Sequence, residues 1–266
     1  MIKDITIGQY VPGDSFVHKL DPRVKILISI VFIVDLFLVN NFKGYIFILL
    51  FTLSSIAISK VPFRYIYKGL KPIFVLLVIT ALLNVLMTDG KVLLFSYGII
   101  HIYKEGVIMA IFMILRLTFL IIGTSLLTLT TSPIELTDGI EKLLSPFRKI
   151  GVPAHELAMM MTIALRFIPT LMDETDKIMK AQMARGADFE SGNILKRAKN
   201  LIPLLVPLFI SSFRRADELA MAMEARCYRG GNGRTRMKQL VLTNRDFIAS
   251  SVTVLFTVIC IVSRWW

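Results

Sequence analysis

The chain is poor in the residues that build most soluble active sites. It has two cysteines in 266 residues, Cys227 in a polar basic stretch and Cys260 in an apolar run, so neither a disulfide framework nor a multi-cysteine metal site has support. Its three histidines, His18, His101 and His155, are scattered along the sequence and read as isolated surface or interfacial side chains, not as metal ligands. No Gly-x-x-x-x-Gly-Lys-Ser/Thr loop is present to cradle phosphates, and no His-Glu-x-x-His or Gly-x-Ser-x-Gly arrangement offers a hydrolytic centre. No catalytic residue, cofactor or metal is therefore assigned. Acidic charge is scarce as well: 19 Asp and Glu against 31 Lys and Arg leave a formal charge of +12. The basic residues lie between apolar runs, which points to anionic lipid headgroups and an acidic partner and away from nucleic acid. The N-terminus lacks the basic stretch and apolar core of a secretory signal and carries Asp4, Asp14 and Asp21 before any apolar run, so no cleaved signal is expected.

Apolar residues, in contrast, make up 55% of the chain, and the mean hydropathy is +0.67. That composition with so high a charge is rare in soluble domains and is the mark of a membrane protein. A bilayer core of about 30 Å takes about 20 apolar helical residues, with roughly 17 as a practical minimum. Five stretches approach that length: 24–39, 44–59, 72–87, 106–130 and 247–266, the last closing on Trp265 and Trp266 as an interfacial anchor. Asp35 and Arg116 fall inside spans, where a charge is costly. They are read either as part of a proton or ion path, or as a mutual pair or headgroup-facing residues.

Basic loops are retained in the cytoplasm, and here they alternate. Lys3, Lys19, Arg23 and Lys25 precede the first span, and Lys60, Arg64, Lys68 and Lys71 follow the second. The intervening loops hold only Lys43, then Lys91 and Lys104, and the tail little besides Arg264. The segment 131–246 contains 18 of the 31 basic residues and falls on the cytoplasmic side. The expected organisation is a four-span region at 1–130, a cytoplasmic helical domain at 131–243 and a final span at 244–266, with the N-terminus inside and the C-terminus outside.

The cytoplasmic insert carries explicit helix signals. Ser132-Pro133-Ile134-Glu135 has the form of a capping box with proline in the first turn, and Pro146 should end that short helix. After Gly151-Val152-Pro153 a long helix is expected, with Leu157, Met160, Met161, Ala164, Leu165, Ile168, Leu171 and Met172 on one buried stripe. Pro169 should bend it without ending it, and Gly186 should stop it. A third helix runs from 201 to about 226, its stripe formed by Leu201, Leu204, Leu205, Leu208, Phe209, Leu219 and Met223. Its apolar half, 201–213, is too short to span and is read as lying at the membrane interface. The run Gly230-Gly231-Asn232-Gly233 breaks it.

The two long helices end alike. Ala181-Gln182-Met183-Ala184-Arg185-Gly186 matches Ala222-Met223-Glu224-Ala225-Arg226-Cys227, and Asp176 and Asp217 each stand nine residues before the arginine. Small residues at Ala181, Ala184, Ala216, Ala220, Ala222 and Ala225 suit a close helix crossing. Arginine is the residue of choice for docking a carboxylate, because its planar fork makes two parallel hydrogen bonds. Two such ends imply two similar docking sites, against the simpler alternative that Arg185 and Arg226 only cap their helices in water.

Taken together these residues resemble the EcfT, or CbiQ-like, transmembrane subunits of energy-coupling factor transporters. The resemblance runs nearly end to end. It includes Asp14-Ser15 with His18-Lys19-Leu20-Asp21-Pro22-Arg23-Val24-Lys25, then Thr131-Ser132-Pro133, Arg166-Phe167-Ile168-Pro169 and the two Ala-Arg-Gly type ends. Cys227 stands in the glycine position of the second, where a positive φ is less accessible to it. The resemblance implies an all-α membrane protein of about five spans with one short and two long crossed coupling helices. It implies a non-catalytic scaffold in the bacterial cytoplasmic membrane that passes motion from two ABC-type ATPase subunits, EcfA-like and EcfA'-like, to a substrate-binding membrane S component for uptake of vitamins or similar micronutrients. Arg185 and Arg226 would each meet acidic residues in a groove of one ATPase. A dedicated cobalt or nickel permease subunit stays open beside the shared module. Two further classes have less behind them. A membrane-embedded enzyme lacks a convergent acid, base or nucleophile. A stand-alone transporter lacks an internal repeat and has only Asp35, Asn84 and Arg116 at membrane depth.

Overall fold

In hydrocarbon an apolar segment must close its peptide hydrogen bonds on itself, and each apolar run of this sequence does so as a helix. The computed structural model describes residues 10–97, 100–189, 193, 195, 199–231 and 239–263. Its helices are α1 Pro22–Leu38, α2 Phe42–Ser59, α3 Phe63–Leu70, α4 Phe74–Met87, α5 Lys104–Thr130, α6 Pro133–Leu144, α7 Ala154–Ala184, α8 Ile202–Ala225 and α9 Asn244–Ser263. Among the described residues, four helical stretches are long and apolar enough to cross a membrane: α2, the continuous stretch Phe63–Met87 of α3 and α4, α5, and α9. The protein is an all-α membrane protein. α1, expected as a further span, has 17 residues, the practical minimum for a crossing, and is not one of these four. The third apolar helix starts earlier than its hydropathy suggests, because a 3-10 turn at Lys71–Ile73 carries the chain from α3 into α4. Pro72 sits in that turn's first residues, where its missing N–H is least costly. The tail with Arg264, Trp265 and Trp266 lies outside the described residues, as do Lys3, Asp4, Asn232 and Gly233.

The sequence did not foretell the antiparallel hairpin between α4 and α5, β1 Leu93–Tyr97 with β2 Ile100–Tyr103. Contacts divide the chain into two compact units, with boundaries at Gly139–Ile140 inside α6 and at Gln239–Leu240.

In the apolar unit, α1 lies parallel to α9 and antiparallel to α5. Phe32, Leu36, Val39, Tyr45, Ile48, Phe119, Phe256 and Cys260 form the core, with the Phe51 and Phe256 rings stacked at 4.2 Å. Gly123 lets α5 approach α1: a Cβ there would lie 2.6 Å from the Phe32 ring. Asp35 is wholly buried beside this core and accepts from Thr257 Oγ1 at 2.9 Å. Arg116 instead donates to Asn40 Oδ1 at 3.0 Å and lies 5.2 Å from the centre of the Phe37 ring. The mutual pair considered for these two charges is therefore not formed, because Asp35 on α1 and Arg116 on α5 meet different neighbours.

One end of the unit is held by a polar knot built from the N-terminal motif. Asp21 caps α1, accepting from the Arg23 N–H at 2.9 Å and from the Arg23 guanidinium at 3.0 and 2.7 Å. The Asp21 N–H donates to Asp246 Oδ1 at 2.7 Å, while Asp246 Oδ2 accepts from the Thr243 N–H and hydroxyl at 2.7 and 2.8 Å, capping α9. Lys25 is buried and donates to the carbonyls of His18 and Thr130 at 3.0 and 2.9 Å. His18 bonds Ser15 Oγ at 2.6 Å and the Val11 carbonyl at 3.0 Å, so it is a structural member of the knot and not the isolated surface histidine expected. This end gathers Lys19, Arg23 and Lys25 with the α2–α3 turn at Lys60, packed through Val61, Ile66 and Leu129. Lys43 stands at the opposite end, where Asn41 Nδ2 reaches the Ser263 carbonyl at 3.2 Å.

Asp246→Ala strips the acceptor from a buried N–H and from the α9 cap together, and should cost about 2–3 kcal/mol; an unchanged thermal midpoint in detergent would contradict this account of the knot. Asp21 gives a second expectation. Burial pushes its carboxyl up, but the hydrogen bonds from Arg23 and the charges of Arg23 and Lys25 outweigh this and hold it below its ordinary value. A depressed folded-state pKa makes the contribution complete above the unfolded value of about 3.9 and lost as pH falls through the lower folded one. Midpoints followed from about pH 6 down to about pH 3 should fall more steeply at the acid end for wild type than for Asp21→Asn.

Candidate docking site

The second unit holds the two long helices. α6 enters it with the capping box in place: the Glu135 N–H donates to Ser132 Oγ at 3.3 Å and the Ser132 N–H to Glu135 Oε2 at 3.4 Å. It stops at Leu144, ahead of a 3-10 turn at Ser145–Ile150 that contains Pro146. Gly151 at φ 92° turns the chain, and α7 then runs through Pro169 to Ala184 without ending.

α7 and α8 pair antiparallel, as three ties along their length show. Gln182 Nε2 donates to the Pro203 carbonyl at 3.5 Å. Glu174 accepts from the Ser211 hydroxyl and, at 2.9 Å, from Arg215 Nη2. Tyr228 O–H donates to Met159 Sδ at 2.9 Å. Rising numbers on α7 thus meet falling numbers on α8, and the two arginine ends lie at opposite ends of the pair. The separation along α7 from Met159 to Arg185 is roughly 40 Å at about 1.5 Å per residue.

The apolar stripes are not buried as the periodicity suggested. Leu157, Met160, Met161 and Ile168 are exposed, as are Leu201, Leu205 and Phe209, and on α8 only Leu204 is buried. Two helices cover only their shared seam, and an apolar face of this extent marks a surface for a partner or a membrane.

The two helix ends match bond for bond. At the first, the Arg185 N–H donates to Gln182 O, the Gly186 N–H to Met183 O and the Ala187 N–H to Gln182 O, at 3.0, 2.9 and 3.0 Å. At the second, the Arg226 N–H donates to Met223 O, the Cys227 N–H to Glu224 O and the Tyr228 N–H to Met223 O, at 3.2, 2.8 and 3.0 Å. Each is a Schellman turn. Gly186 takes the left-handed position at φ 89°, and Cys227 takes the same position at φ 54°. The exit geometry is kept although the residue differs.

Those backbone bonds leave the arginine side chains unused. Ala184, Arg185 and Gly186 are exposed, as are Ala225, Arg226 and Cys227, and neither guanidinium makes a hydrogen bond or ion pair among the described residues. The carbonyls of Gln182 and Met183 at one end, and of Met223 and Glu224 at the other, are closed by main-chain N–H groups, and neither guanidinium caps its helix among the described residues. Arg166 and Pro169 lie exposed on α7, Asp176 is half-buried and Asp217 exposed. The carboxylate that ties the helices is instead Glu174. Periodicity shows its place on α7 but not which residue of α8 stands opposite, since that needs the antiparallel register.

A family model described as cobalt transport protein, CbiQ, matches residues 13–238, which span the motif from Asp14 to Lys25, both long helices and both arginine ends. The chain belongs to the CbiQ family. A protein of Clostridium kluyveri named energy-coupling factor transporter transmembrane protein EcfT is 76% identical over 268 residues, covering 100% of this chain and 99% of its own length. Proteins with the same name from Thermosediminibacter oceani and Bacillus subtilis are 60% and 52% identical, covering 99% and 92% of this chain and 99% and 93% of their own lengths. This CbiQ-family chain is a transmembrane transport subunit of the energy-coupling factor class.

A non-glycine residue in the left-handed region costs about 1 kcal/mol. Cys227→Gly should therefore stabilise the second unit by about that amount, and Gly186→Ala should destabilise it by a similar amount. Chemical denaturation of the detergent-solubilised variants checks both signs.

Proposed function

We propose that the chain is a coupling scaffold that docks one ABC-type ATPase subunit on Arg185 and another on Arg226, and passes their ATP-driven motion to a substrate-binding membrane S component. The observation that carries this reading is the pair of matched Schellman ends, each leaving an arginine exposed and uncommitted at one tip of a single antiparallel helix pair. A guanidinium fork engages a carboxylate with two charge-assisted bonds, so the fitting partner surface is an acidic groove, one on each of two similar subunits. Ala184 and Gly186, and Ala225 and Cys227, keep the approach to each arginine open. The relatives' shared name places those proteins in energy-coupling factor transporters. Hydrolysis belongs to the ATPases, and the cargo is a vitamin or similar micronutrient delivered by the S component.

On this reading 1–130 and 244–266 are the membrane region of the bacterial cytoplasmic membrane, α1 supplies a fifth crossing, and 131–243 is the cytoplasmic coupling domain. The gathering of Lys19, Arg23, Lys25 and Lys60 at one end of the apolar unit supports a cytoplasmic N-terminus with the C-terminus outside, because basic loops are retained in the cytoplasm. A cobalt or nickel permease subunit is the second reading, favoured by the description the family model carries; uptake of cobalt by the assembled complex, without a vitamin-binding S component, would select it.

Reversing either arginine sets a carboxylate against a carboxylate in a partly desolvated groove and should weaken docking at that tip by about 2–5 kcal/mol. Co-purification in detergent should show Arg185→Glu and Arg226→Glu each losing one ATPase, and the double variant losing both. Full occupancy of both ATPases in the double variant, with transport intact, would overturn the docking role.

A further inference from the structure

The two tips share their backbone bonds but not what stands behind them. After Cys227 the chain folds back over the first turns of α7. Tyr228 O–H lies 3.3 Å from His155 Nε2 and donates to Met159 Sδ at 2.9 Å, and His155 Nδ1 lies 3.1 Å from Glu141 Oε1. The side chains of His155 and Glu141 are 18% and 14% exposed. Gly230 turns the chain at φ 84°, and Gly231 passes so close to the imidazole that a Cβ there would lie 2.5 Å from His155 Cδ2. At the first tip the residue in the place of Tyr228 is Ala187, which has no side-chain group to form such a tether.

We propose that Glu141, His155 and Tyr228 form a positioning relay that fixes the direction of Arg226. The proposal rests on the docking role given to Arg226 above. Its physical basis is the left-handed backbone of Cys227. Glycine adopts that conformation without steric penalty, and cysteine does not. The Schellman turn at Cys227 therefore needs an outside restraint on the residue that follows it. Tyr228 supplies one, with its hydroxyl held to α7 by two partners, one of which is oriented by Glu141 on α6. Because Arg226 immediately precedes the strained residue, a turn that frays at Cys227 releases the arginine from its fixed exit. Restraining a docking group before it binds improves affinity by reducing what must be ordered on contact.

The test uses the full chain in detergent with its two ATPase subunits. Tyr228→Phe removes the hydroxyl and keeps the ring. Hydrogen exchange should rise about tenfold at the amides of Cys227 and Tyr228, while those of Gly186 and Ala187 stay unchanged as an internal check on the fold. The ATPase that Arg226→Glu releases should bind about tenfold more weakly, and the other as before. Cys227→Gly in the Tyr228→Phe background removes the need for the restraint and should restore both exchange and binding, a rescue that loss of general packing would not show. Unchanged exchange in Tyr228→Phe, or no rescue by Cys227→Gly, overturns the relay. Faster exchange with rescue but no change in either ATPase upholds the relay and overturns instead the docking role of Arg226.

Discussion

The carboxylate of Asp246 ties the start of the first helix of the apolar unit to the start of the last. Apolar helix faces in lipid attract one another with little preference for register, since lipid chains compete for the same dispersion contacts. Register has to come from polar groups with a fixed geometry. Asp246 provides it by accepting from the Asp21 N–H and from Thr243 with different oxygens, so the α9 cap and the start of α1 are set by one group. Around it, Arg23 reaches both Asp21 and the Leu240 carbonyl, and Lys25 reaches the end of α5. Gly139 leaves room for Pro22, where a Cβ would come within 3.0 Å. The segments at which the chain leaves this unit and returns to it are thereby fastened to the same few residues of α1.

The helix pair of the other unit obeys a different constraint. Its length exposes two C-terminal tips, and each tip must close its last carbonyls. Both do so with main-chain donors, and that economy is what leaves Arg185 and Arg226 uncommitted. Had the guanidinium groups been needed as caps, the same sequence repeat would have had a purely local explanation. The exposed apolar residues of both helices extend the argument, because a face of this kind is incomplete in water and calls for a cover from membrane or protein.

Much of this was legible in the sequence, and the rest was hidden for identifiable reasons. The apolar runs, the capping box at Ser132 and Glu135, the passage through Pro169 and the stops near Gly186 and Arg226 all depend on residues within a turn of one another, which is the range at which sequence patterns act. The start of the third helix at Phe63, the hairpin after α4 and the burial of the α7 and α8 stripes do not. Hydropathy missed Arg64 and Lys68 as helix residues because charge at a membrane boundary reads as loop. The motif from Asp14 to Lys25 marked the family but not its task, since its partners Thr130 and Asp246 lie more than a hundred residues away. The contacts of His18 and His155 were missed for another reason: each bonds to hydroxyl, carbonyl or carboxylate neighbours and not to another histidine.

The antiparallel direction of α7 and α8 matters more to mechanism than the repeat itself. A parallel pair would carry both arginines to one side, where a single partner could take them. Opposed tips roughly 40 Å apart suit two partners, one on each arm of a common rod. The Glu174 tie to Ser211 and Arg215 sits between the tips and joins the two arms at mid-length. On the docking reading, a displacement of either partner reaches the other helix through that tie. The rod is then symmetric in its backbone turns, with Gly186 at one tip and Cys227 at the other taking the left-handed position.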